Sequence, residues 1–70
     1  MELTQLRYFL QVYRIGNICG AAAQLNVTQQ AVSKQIQKLE NELGVELFVR
    51  QARGVQATPY AELLASKVQD

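Results

Sequence analysis

Seventy residues, 49% of them hydrophobic and carrying a formal net charge of +1, suit one small packed domain and exclude both a multidomain chain and a disordered one. No run is long enough to cross a membrane, the start lacks the basic-then-apolar order of a secretion signal, and the single cysteine, Cys19, cannot close an internal disulfide. A cytoplasmic, reducing location is expected, and with no His, no cofactor motif and no paired carboxylates the expectation is no enzyme, no cofactor and no metal.

Taken in chain order, Leu6, Phe9, Leu10 and Tyr13 recur at i, i+3, i+4 and i+7, the stripe of an amphipathic helix, with Thr4 as its expected cap and Gly16 at its end. Asn17 is a good N-cap for a second, shorter helix, "ICGAAAQLN", whose three alanines let another helix approach closely. Asn26 tolerates the left-handed conformation and closes it. Thr28 caps a third helix that Gly44 stops, and Val32, Ile36, Leu39 and Leu43 fall within one narrow arc of it at about 100° per residue. Gln29, Gln30, Ser33, Lys34 and Gln37 are expected on the opposite side, with Glu40 and Asn41 farther along. "LFVRQARGVQAT" then reads as a short β-hairpin turning at Gln51 to Gly54, with strands too short to stand without the helices. Thr58-Pro59 opens a last helix, whose Leu63, Leu64 and Val68 form an apolar side.

Two short helices joined by a tight turn, the second with a polar face, make a helix-turn-helix, and the hairpin after them resembles the wing of a winged helix. Charge supports this: between Leu3 and Leu39 stand Arg7, Arg14, Lys34 and Lys38 and no acid, whereas Glu40, Glu42 and Glu46 cluster just beyond. Side chains entering a major groove must both donate and accept, as Gln and Ser do, while Lys donates to guanine or phosphate and carboxylates are repelled by the flanking phosphates. Arg53 at the hairpin tip can enter a narrow minor groove. The competing reading of the helix face is simple solvation, and for Arg53 a solvated turn residue. Arg7 and Arg14, off the first helix's stripe, are read as solubility residues. Glu40 is read as a structural polar group near the wing, pairing with Arg50. Cys19, near a helix start, could carry a reactive thiol, but a small buried or half-buried residue is the preferred reading.

The order "LRYFLQV…G…AAAQLNVTQQAVSKQIQKLENELGVELFVR…RGV…T" closely resembles the N-terminal DNA-binding domain of LysR-type transcriptional regulators, over Leu3 to about Leu64. The resemblance implies a mainly α winged helix-turn-helix: a three-helix core, a two-stranded β wing and the start of a linker helix. Residues 1–58 would form the DNA-binding domain and 59–70 a truncated linker or dimerisation helix, with the effector-binding domain absent.

It also implies roles. A recognition helix over about 28–43 would lie in the major groove of double-stranded DNA, with Gln29, Gln30, Ser33 and Lys34 on bases and phosphates and Gln37 on the same face. Thr28 would anchor the helix start on the backbone, and Arg53 would be a minor-groove contact. Leu63, Leu64 and Val68 would serve pairing in a homo-oligomer of the full-length protein, and a small-molecule inducer would act only through the C-terminal domain.

The chain departs from the family pattern at Gln30, where Pro or Ser is usual; at Gly20, where a basic residue commonly precedes the Ala-Ala pair and grips phosphate; and at Tyr60-Ala61, where an Ala-Gly pair opens the linker. Rival readings are a molybdate-regulator-like winged helix and a winged helix used for protein-protein contact. The second would discard the Gln29, Ser33, Lys34 and Arg53 set that is present here.

Overall fold

The computed structural model describes residues 2–68; Met1, Gln69 and Asp70, the last two from the expected linker helix, lie outside the described residues. Helices α1 (Leu3–Ile15), α2 (Ile18–Leu25) and α3 (Gln29–Leu43) are followed by strands β1 (Phe48–Gln51) and β2 (Gly54–Ala57) and by helix α4 (Pro59–Val68). None of these helices is long and apolar enough to cross a membrane.

Local signals set the helix ends. Asn17 Oδ1 accepts the Gly20 amide at the start of α2, and Thr28 Oγ1 accepts the Ala31 amide, 3.1 Å away, at the start of α3. Gly16, Asn26 and Gly44 close α1, α2 and α3 in the left-handed conformation. Thr4 is not a cap: α1 begins two residues earlier than that cap would set, with Glu2 as N-cap, and Gln5 Oε1 accepts the Glu2 amide at 3.2 Å. That bond satisfies the side chain of Gln5, which is buried. The inward stripe of α1 is accordingly turned toward Gln5, Phe9 and Val12, with Leu10 and Tyr13 at its margin and Leu6 half-exposed.

The core gathers Phe9 and Val12 from α1, Ala21 and Ala22 from α2, Val32, Ile36 and Leu39 from α3, Leu47 before β1, and Ala61 and Ala65 from α4. Ala23 points outward, so two of the three alanines mediate the close helix approach. Leu43, at the end of the α3 arc, is 38% exposed. On α4 the inward face is Ala61 and Ala65 with half-buried Leu64 and Val68, whereas Leu63 is 57% exposed; the expected apolar side is split between interior and surface.

The antiparallel hairpin pairs Phe48 with Ala57, Val49 with Gln56, Arg50 with Val55 and Gln51 with Gly54, leaving Ala52 and Arg53 at the turn. Its support on the helices is specific. Phe48 packs on Phe9 with ring centroids 5.6 Å apart, and the Val55 amide donates to the Gly16 carbonyl at 3.0 Å. Gly54, at φ +100°, passes so close to the α1–α2 corner that a Cβ there would collide with the Gly16 carbonyl oxygen. Thr58 closes the hairpin onto α4: its hydroxyl donates to the Glu46 carbonyl at 2.6 Å and accepts the Ala61 amide at 3.3 Å.

Candidate nucleic-acid interface

α3 carries its burial on Val32, Ile36 and Leu39, which span about 60° of the helix at 100° per residue. The polar residues are not all opposite that arc, as the sequence alone suggested; they divide into two strips. Gln30 and Lys34 are exposed and face away from the core. Ser33 and Glu40 are half-buried beside Ile36 and, with exposed Gln37, line a cleft between α3 and the wing, closed by Ile18, Phe48, Arg50 and Val55. Gln29, exposed in the first turn, faces a neighbouring hollow with Asn17, Cys19, Arg50 and Gln51.

Thr28 sits at the N-terminus of α3, its hydroxyl engaged by the Ala31 amide. One turn beyond, Ser33 Oγ lies 3.5 Å from an Arg50 Nη of strand β1, a contact that joins helix and wing. Arg53 is exposed at the hairpin tip. The structure thus brings Gln29, Ser33 and Gln37 to the side of α3 facing the wing, Gln30 and Lys34 to its outward side, and Arg53 to the protruding turn, with Thr28 at the start of the helix. Leu63, Leu64 and Val68 stand apart from this surface on α4.

Two residues take up roles that differ from expectation. Glu40 does not hydrogen-bond Arg50; its Oε2 accepts the Leu47 amide at 2.7 Å and the Phe48 amide at 3.3 Å, tethering the loop before β1 to α3. Leu47 precedes β1 and Phe48 is its first residue, so the carboxylate satisfies two backbone amides at the point where the strand begins. Cys19 is exposed rather than buried or half-buried, because the second position of α2 turns outward. Gly20 is packed: a Cβ there would lie 2.8 Å from Ile15 Cγ2 and 3.0 Å from Asn17 Oδ1.

Residues 3–62 match the model of a family described as bacterial regulatory helix-turn-helix protein, lysR family. The chain belongs to the LysR family. Among relatives, it is 52% identical over 59 residues to the HTH-type transcriptional regulator TfdS of Cupriavidus pinatubonensis (strain JMP 134 / LMG 1197), a match covering 84% of this chain and 20% of that protein. The chain therefore spans about a fifth of the length of such relatives. The fold is similar to the CbnR DNA-binding domain in a crystallised DNA complex, with a TM-score of 0.95 and 38% identity over 99% of this chain and 79% of that one. It is similar also to the BenM DNA-binding domain bound to catB site 1 DNA, at TM-score 0.91 and 40% identity over 96% and 74% of the two chains. These matches place the chain as a LysR-type winged helix-turn-helix and favour that reading over the molybdate-regulator and protein-contact alternatives.

Proposed function

We propose that this LysR-type domain binds double-stranded DNA sequence-specifically, with α3 in the major groove and the wing tip at Arg53 in the minor groove. The observation that carries the reading is the acid-free strip from Thr28 to Gln37 on the accessible side of α3, flanked by the exposed Arg53. Major-groove edges present both donors and acceptors, which amide and hydroxyl side chains match, whereas wing and helix lie on either side of one sugar–phosphate strand. In this arrangement Gln29, Gln30, Ser33 and Gln37 meet base edges, Thr28 and Lys34 hold phosphate, and Arg53 reaches into the narrow groove. The three nearby acids of Glu40 to Glu46 begin where α3 leaves the strip, and Glu40 is already occupied by two backbone amides.

Residues 1–58 form the DNA-binding unit in this reading and α4 opens the linker through which a full-length protein pairs, using Leu63 outward and Leu64 and Val68 at its edge. A homo-oligomer on a two-fold symmetric site would set half-sites about 10 bp or a multiple apart. A small-molecule inducer would act through a C-terminal domain of the full-length protein. The domain itself is a binding module and not an enzyme, working in the cytoplasm.

The test is selection of bound duplexes from a randomised pool at moderate salt, followed by sequencing. An enriched interrupted palindrome, or a single half-site for the monomer, is the expected result. Salt-independent retention with no enriched sequence would count against DNA recognition and in favour of a protein partner.

A further inference from the structure

Arg50 belongs to the wing yet reaches the recognition helix. Side chains alternate across a strand, so Arg50 shares the face of Phe48, which packs on Phe9, and this face is turned toward the helices. The strand is held there from three sides: Glu40 takes the Leu47 and Phe48 amides, Val55 opposite Arg50 donates to Gly16, and Gly54 is pressed on the same corner. Arg50 therefore approaches Ser33 from a fixed backbone, and its guanidinium donates to Ser33 Oγ over 3.5 Å.

A serine within a helix often returns its proton to the carbonyl four residues earlier, but among the described residues the Ser33 hydroxyl proton has no acceptor. Guanidinium has donors and no acceptor, so it occupies a lone pair of the hydroxyl and leaves the O–H directed elsewhere.

We propose that Arg50 is a specificity-determining positioning residue, which fixes the Ser33 hydroxyl as a hydrogen-bond donor toward the base it faces. The proposal rests on the DNA-binding reading above. The neighbouring Gln29, Gln30 and Gln37 can each present either a donor or an acceptor and so tolerate several base edges. Ser33 held by Arg50 keeps its proton free and has one of its two lone pairs engaged, which biases it toward donating. It favours the acceptors N7 and O6 of guanine, N7 of adenine or O4 of thymine, and disfavours the amino group of cytosine.

The experiment measures binding of the wild-type chain, Ser33→Ala, Arg50→Met and the double variant to four duplexes that differ at the one base pair whose preference Ser33→Ala abolishes. Arg50→Met removes the donors and keeps the aliphatic stem. The wild type should prefer an acceptor base over cytosine by about threefold to tenfold, the range of one net hydrogen bond. Arg50→Met should bring that ratio close to the Ser33→Ala value, and in the Ser33→Ala background it should shift all four duplexes by one common factor.

Arg50→Lys keeps the charge and serves as the control for electrostatics. A uniform loss in Arg50→Met that Arg50→Lys restores, with base ratios unchanged in both, would make Arg50 a phosphate contact alone and overturn the proposal. So would a Ser33→Ala variant that changes no base preference. If the wild-type chain binds no duplex in a salt-dependent way, the DNA-binding reading fails first, and that failure is visible before any variant is compared.

Discussion

Glu40 and Gly54 show how much of the interface depends on single residues outside it. The Glu40 carboxylate accepts the Leu47 and Phe48 amides at the start of β1, and a carboxylate acceptor is stronger than a neutral one. Glu40→Ala leaves two amides to find other partners and should cost about 1–3 kcal/mol, with Glu40→Gln, which keeps one oxygen, losing less. Urea unfolding of both variants checks the order; equal losses would mean that charge and acceptor are not what the site uses. Gly54 and Gly44 share a positive φ, but space distinguishes them: a Cβ at Gly44 meets nothing within 4 Å, whereas at Gly54 it meets backbone at the α1–α2 corner. A non-glycine residue in the left-handed region alone costs about 1–2 kcal/mol. Gly54→Ala should therefore lose more stability than Gly44→Ala, and it should also displace the wing and its Arg50 and Arg53. Thermal unfolding of the two variants gives the comparison directly.

Among the elements, α3 combines a structural face with a surface for recognition, and the two can be separated by variant. Thr28→Ala removes the cap to the Ala31 amide and should cost about 1 kcal/mol of folding stability in addition to any loss of binding. Lys34→Ala, exposed and away from the core, should leave folding intact, weaken all duplexes alike and flatten the salt dependence by about one unit of slope if it holds a phosphate. Gln29→Ala should instead cost about 1–3 kcal/mol on the preferred duplex and little on random DNA; equal losses on both would remove it from the base readers. Apart from the start of α1, where Glu2 and not Thr4 is the cap, element ends were legible in the sequence because caps are local chemistry: Asn17, Thr28, Gly16, Asn26, Gly44 and Thr58-Pro59 all act within four residues. The facing of α1 was not, because burial of Gln5 depends on its bond to the Glu2 amide, which an apolar stripe cannot report. The strip of candidate base readers could be named from residue type, but its division at Ser33 could not. That division follows from where the wing lies, and the wing is placed by Glu40 and by Gly16 and Phe9, the last two distant from it in sequence.

For the whole molecule, α4 has to close the domain and still present a surface, and its sequence separates these tasks by residue size. Ala61 and Ala65 are buried against the body formed with α1 and β2, while Tyr60 and Leu63 are each 57% exposed. Between α4 and the end of α3 they border an apolar groove with Leu43, Val45, Leu47, Leu64 and Lys67. Small buried residues permit the close approach and leave no room for growth: Ala65→Leu adds three carbons to a packed position and should destabilise by about 1–3 kcal/mol. Leu63→Lys changes an exposed site in mid-helix to another good helix former and should stay within about 0.5 kcal/mol of the wild type. If α4 serves pairing as proposed, Leu63→Lys should also weaken self-association measured by sedimentation, with its unfolding midpoint unchanged. A wild-type chain that self-associates and a Leu63→Lys chain that does so equally well would move the pairing surface off the outward face of α4. Ala65→Leu is the converse probe, since its loss should appear in the unfolding midpoint even at dilutions where every chain is a monomer.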